Sequence, residues 1–405
     1  MPTSVYLDTA RFGQMCPQAR QADRDFARLA SEEGCTAYFD RFLRCGFFAL
    51  PQRFQSRYAG LYDWAGIRGL KRDLIQLAGL PLDRDVFVAS RSACLVELAS
   101  RLLCERCQNI LVTDMLWPAY LSILQRASQR SGRRITVVRI RNSVLCEGTT
   151  ASEVADRIAA EYERESCDGL FLSAVTFQGI RLPLVELLRK LPCRPRFAVL
   201  DAAQGFNHVP VSKMAQHFDL ILSGCHKWLR AHHPLGFAFC GRKETQGFVD
   251  QAVRRQCQQR SVGDPLLRFT EQLVDESTDG YSETVNLAPL FTAQAAVRRA
   301  IRGVKSRLER LRSQVANADR LIDAAGCTCW RPVRLAPELR SGIQLLQATS
   351  ASTRLTSPEQ IRGKFLRHGV ALTTYDGGLI RTSLPSKPLS SATIDQILFA
   401  LQRSA

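Results

Sequence analysis

Between residues 85 and 241 the chain repeats one pattern: a short, continuous apolar run, then a helical stretch, then another run. The runs are "DVFVAS" (85–90), "NILVTD" (109–114), "ITVVRI" (135–140), "GLFLSAV" (169–175), "RFAVLD" (196–201), "FDLILSG" (218–224) and "LGFAFCG" (235–241). Amphipathic segments such as "ACLVELASRLLCERC" and "ASEVADRIAAEYERE" separate many of them. Runs without polar alternation must be covered on both faces, and helical crossovers between them make a mostly parallel sheet. The last two runs are joined by a histidine-rich turn too short for a helix, so that join need not be a parallel crossover. The expectation is an α/β large domain over 65–287, built on a seven-stranded sheet between helices.

The remaining segments divide differently. Residues 1–64 read as an arm packing on both domains, and 288–325 as one long connecting helix stopped by Gly326. Residues 326–405 mix strands and helices, with a hairpin-like turn at Asp376–Gly378, and suggest a smaller α+β domain. With 405 residues, 45% of them hydrophobic, the chain can bury cores of this size.

Composition excludes some classes and leaves others open. No apolar run is long enough to span a membrane. The opening "MPTSVYLDTARFGQMC" lacks a basic region followed by an apolar one, so the expected location is cytoplasmic and the 14 cysteines are expected as thiols. Cys104 and Cys107 form a CxxC, but within a helical pattern and without a second pair for zinc; Cys327 and Cys329 do not supply one. The net charge of +17 is compatible with nucleic acid. However, the basic residues are scattered along helices and strands, with few interleaved aromatics to stack bases.

In such sheets ligands gather beyond the carboxyl ends of the strands, where three features fall. Asp201 ends "RFAVLD", Lys227 follows "FDLILSG", and Ser90, Arg91 and Ser92 open a helix after "DVFVA". Read locally, Ser92 could be an N-cap, Asp201 a turn cap and Lys227 a surface amine. Together, an anion seat, a carboxylate and an amine suit a phosphorylated aromatic cofactor held as an imine.

"VLDAAQGFNHVPV" followed by "FDLILSGCHKWLRAHHPLGFAF" resembles the signature of the class V aminotransferases, the fold type I pyridoxal-phosphate (PLP) enzymes that include cysteine desulfurases and isopenicillin N epimerase. "YLDTARFGQMCP", "GIRLPLVEL" and "LIRTSLP" extend the likeness over most of the chain. The resemblance implies that Lys227 forms the Schiff base and shuttles protons, and that Asp201 pairs with the pyridine nitrogen. It implies that Gln204 bonds the ring's 3-oxygen and that Trp117 stacks on the ring, although Trp117 alone could be a core tryptophan. His226, Ser92 with Ala93, and Ser223 would serve the phosphate. Thr284, in "SETVN", would reach the neighbouring subunit's phosphate in a homodimer, and Arg381 would clamp a substrate carboxylate, although alone it could be a surface strand residue.

The chain departs from the family pattern in several places. Ala93 and Cys94 replace the usual threonine and glutamate. Gly224 stands where a serine is frequent, with Ser223 one place earlier. His232 and His233 replace small residues, as loop packing or a substrate contact. The implied activity is that of an enzyme acting on a free amino acid through an external aldimine, an aminotransferase or Cα/Cβ lyase, with epimerisation as an alternative. Desulfuration is disfavoured because "RHGVALTTYDGGLIRTSLP" contains no cysteine.

Overall fold

A computed structural model describes residues 5–34, 36–258, 263–275, 284–303, 306–326 and 329–404. Cys327 lies outside the described residues, as do the first two residues of "SETVN".

All seven apolar runs become strands of one sheet. They are β2 (Val86–Ala89), β3 (Asn109–Thr113), β4 (Arg134–Val138), β5 (Gly169–Ser173), β6 (Phe197–Asp201), β7 (Leu220–Gly224) and β8 (Gly236–Cys240), in the order β2-β8-β7-β6-β5-β3-β4. The pairs from β7 through β6, β5 and β3 to β4 are parallel, whereas β8 runs antiparallel to both its neighbours. The turn 225–235 sends the chain straight back along β7, as its length requires.

Strand periodicity builds two cores. Leu170, Leu172, Ala198, Leu200 and Ile221 face one layer, while Phe171, Phe197, Val199, Leu220 and Leu222 face the other. Helices 92–106 and 118–131 pack together in the second layer. This double covering is why the runs carry no polar alternation.

The C-terminal part has its own core and a four-stranded antiparallel sheet. Its strands, in the order β12-β13-β10-β9, are β9 (Trp330–Pro332), β10 (Ile343–Ala348), β12 (Thr373–Tyr375) and β13 (Leu379–Ser383). Gly377 and Gly378 turn the β12–β13 hairpin with φ of 72° and 69°, a region closed to most side chains.

The connecting stretch differs from the expected single helix. It forms two helices, Ala288–Ile301 and Arg307–Ala325. Gly303 is a poor helix former, and Ser306 with Glu309 makes a reciprocal capping box that starts the second helix afresh.

The N-terminal segment ties the parts together. β1 (Val5–Tyr6) pairs in parallel with β11 (Val370–Ala371), and the Ser383 amide donates to the Leu7 carbonyl. A few residues on, the Gly13 amide donates to the His226 carbonyl at 2.7 Å and the Cys16 amide to the Arg230 carbonyl at 2.9 Å. Helix 17–33 then packs on helix 288–301. No helix of the described residues is long and apolar enough to cross a membrane.

Candidate functional site

Asp201 is the last residue of β6 and is buried at 6% exposure. Its Oδ1 accepts from the Ala203 amide at 2.9 Å and its Oδ2 from the Ser173 hydroxyl at 3.2 Å. The turn-capping bond expected from local sequence therefore exists, and the same carboxylate still feels Lys227. Burial raises the Asp201 pKa, against the pull of the Ala203 amide and the Lys227 charge.

Lys227 lies three residues past β7, partly buried rather than on the open surface. Desolvation brings its amine down to about 8; Asp201 opposes that fall and the Arg381 guanidinium adds to it. Next to it, burial and then the Lys227 charge lower the His226 imidazole to about 4, and His226 Nδ1 is buried without a hydrogen-bond partner.

Arg381 is not a surface strand residue. It is 3% exposed on β13, where it pairs across the hairpin with Thr373. Its Nη1 donates to the Phe177 carbonyl at 2.6 Å, its Nη2 donates to Thr373 Oγ1 at 3.1 Å, and Asp8 Oδ1 lies 3.6 Å from Nη2. Arg381 Nε is buried and has no partner, which leaves a donor for a ligand carboxylate. Asp8, from the N-terminal segment, also accepts from the Thr373 hydroxyl.

Arg91, not Ser92, holds the N-cap position of helix 92–106, without a side-chain cap. Ser92 and Ala93 are the first helical residues, so their amides have no carbonyl within the helix to bond. The Ser92 hydroxyl hydrogen-bonds Tyr120 Oη at 2.8 Å. Asp264 holds the preceding turn, accepting from the Ser90 amide at 3.0 Å while bonding the Leu267 amide of the next helix at 2.9 Å.

Other candidates stand differently from their expected roles. Gln204 is engaged at both ends of its amide: Trp228 Nε1 donates to Oε1 at 2.9 Å, while Nε2 donates to the Ala10 carbonyl at 2.6 Å. One amide proton remains for a ligand. Ser223 is fully buried and its hydroxyl donates to the Ala202 carbonyl at 3.1 Å, which makes it a strut of the β6–β7 edge. Trp117 is 43% exposed and so is no core residue; it meets Phe177 edge-on, and Phe177 meets Tyr375 the same way. Thr284 is exposed on the single chain. His233 Nε2 bonds Asp23 at 2.7 Å, and His232 packs edge-on against Phe12 at a φ of 73°.

Other contributors show their role only in the fold, among them His208, the histidine of "VLDAAQGFNHVPV". His208 is buried, stacks on Trp228 at 3.6 Å, and accepts from the Gly342 amide at Nε2. That acceptor role leaves the proton on Nδ1, which donates to the Gln204 carbonyl at 2.7 Å. His208 therefore ties the large sheet to the small one. Tyr120, Asp8 and Asp264 were silent in the sequence, because their partners lie 28, 365 and 174 residues away.

The residues present fit PLP. A buried carboxylate, a desolvated amine, an orphaned imidazole nitrogen and two open helix amides form the donor set this cofactor needs. The cysteines nearest this set are poor nucleophiles, since burial raises the thiol of Cys94 and lifts that of Cys225 to about 12.

The fold is that of the class V aminotransferases and the wider PLP fold type I group. Among solved structures, the cysteine desulfurase CsdA of Escherichia coli superposes with a TM-score of 0.67 at 15% identity, covering 99% of this chain and 94% of that one. C-DES, with glycine covalently linked to its PLP cofactor, gives 0.67 at 14% identity, covering 99% and 97%. The ureidoglycine–glyoxylate aminotransferase of Bacillus subtilis gives 0.62 at 13%, covering 100% and 93%. No family model and no curated protein matches the chain.

Proposed function

We propose that the chain is a PLP-dependent enzyme acting on a free amino acid, as an aminotransferase or a Cα/Cβ lyase. The observation that carries this reading is the placement of Lys227 three residues past β7, whose neighbour β6 ends in buried Asp201; desolvation lowers the amine to about 8, with Asp201 opposing the fall and buried Arg381 adding to it. When bound, PLP supplies an electron sink that lets a bond at the substrate Cα break. Lys227 would hold the cofactor's aldehyde carbon, and its Nζ would take up and return the substrate Cα proton. Asp201 would keep a proton on the ring nitrogen. The Ser92 and Ala93 amides and His226 would hold the phosphate, and Gln204 would reach the ring oxygen with its remaining proton. Trp117 would pack on the ring, and Arg381 would hold the substrate carboxylate through Nε.

In this reading the protein works as a homodimer, with exposed Thr284 reaching the partner's phosphate. Desulfuration is the disfavoured alternative: the segment 368–385 carries no cysteine, and burial raises the thiols of Cys94 and Cys225. After incubation with PLP and removal of the free cofactor by gel filtration, the protein is expected to stay yellow and to shift in absorbance with amino acids. Lys227→Ala is expected to lose the borohydride-fixed link between protein and cofactor. A wild-type protein that is colourless once free PLP has been removed contradicts the proposal.

A further inference from the structure

A second cavity, of about 640 Å³, opens between helix 66–78, the segments 181–185 and 210–214, and the start of helix 307–325. None of the site residues described above lines it. Its wall carries four cations, Arg181, Lys213, Arg307 and Arg310, and no acidic residue. Elsewhere the arginines commonly meet carboxylates, as Arg298 meets Asp73 and Arg302 meets Asp63. Among the described residues these four form no ion pair, and Arg310 has only the neutral Asn207, at 2.8 Å from its Oδ1. Burial lowers the pKa of both Arg307 and Arg310, Arg307 is further lowered by Arg310, and Arg310 by Arg299. Partly buried cations that repel one another without a counter-charge favour a ligand that brings one. The rest of the wall is apolar, including Leu77, Val185, Met214, Ile301 and Leu308. The volume lies within the range of about 300–1,000 Å³ typical of small-molecule pockets.

We propose that this cavity binds an organic diphosphate, its phosphates bridged by the guanidinium groups of Arg181, Arg307 and Arg310 and its apolar body laid on the Leu77–Ile301 side. Guanidinium forks match phosphate oxygens two at a time, and three arginines with Lys213 balance the charge of such a group. A carboxylate would meet only part of this field. The assignment is independent of the PLP site and extends beyond it.

The test is calorimetric titration of the protein, in excess PLP to fill any other phosphate seat, with ADP and with inorganic pyrophosphate. ADP is expected to bind saturably, and pyrophosphate more weakly because it leaves the apolar wall bare. Arg181→Gln with Arg307→Gln is expected to weaken ADP by at least about tenfold, and Arg307→Lys by less. Arg157→Gln, which removes one positive charge from an exposed helix face, leaves ADP binding unchanged. Circular dichroism and melting establish that each variant is folded. Failure of both ligands to bind, or a double variant that binds ADP like wild type, overturns the site. Pyrophosphate binding as tightly as ADP overturns the organic part of the assignment.

Discussion

Lys227 is one of 55 lysines and arginines, and among the described lysines it is the one that desolvation brings down. Its two charged neighbours pull in opposite directions, which gives a signed prediction. Wild-type uptake of PLP should rise with pH through about 8, as the free amine forms. Asp201 favours the protonated amine, so Asp201→Asn should move that midpoint to lower pH. Arg381 disfavours it, so Arg381→Gln should move the midpoint upward; absorbance titrations of the three proteins check both signs. A loss of folding alone would not shift the variants in opposite directions. Asp8 belongs at the same scale, since it faces Arg381 and Thr373 together. Asp8→Ala should raise KM for an amino acid more than it lowers kcat, with Asp8→Glu recovering part of the loss.

At the scale of elements, the N-terminal segment sets the site by backbone contact. A Cβ on Gly13 would stand 2.1 Å from the Lys227 carbonyl, where no flexible side chain can give way. Gly13→Ala should therefore cost about 1–3 kcal/mol in denaturant unfolding and weaken PLP uptake, because the displaced backbone belongs to the lysine turn. Removing the Ser306 cap with Ser306→Ala should cost about 1 kcal/mol without touching PLP uptake. The strands were legible because unbroken apolar runs such as "FAVLD" and "LILSG" have one good use, a strand covered on both faces. The break at 302–306 was not, since helical periodicity continues across it and only Gly303 and the Ser306–Glu309 spacing mark it. The antiparallel direction of β8 was legible only as an allowance, from the shortness of the turn before it.

Across the whole molecule, buried His208 and partly buried His226 couple stability to pH. His208 and His226 are both brought from 6.5 down to about 4, so below 6.5 the unfolded chain takes up protons that the fold refuses. Stability should fall as pH is lowered from 6.5 toward 4. His208 alone should account for roughly 2–3 kcal/mol at the acid end, since one pKa unit corresponds to about 1.4 kcal/mol. Asp201, whose pKa is raised, acts in the opposite sense, so the comparison belongs between wild type and His208→Gln, whose denaturation midpoints should respond less to acid. The site was legible where chemistry sits in one contiguous stretch, as Asp201 and Lys227 do. It was illegible where residues meet only through folding, as Asp8, Tyr120, Asp264 and the Gly342 end of the His208 bridge do. Gln204 and Ser223 show a further limit: residue type alone does not reveal that protein partners already engage Gln204's oxygen and Ser223's hydroxyl. The most direct test of the account is reductive trapping. Protein incubated with PLP, reduced with borohydride, digested and mapped by mass spectrometry should carry the pyridoxyl group on Lys227. A protein that takes up no PLP, or carries the group on another lysine, contradicts it.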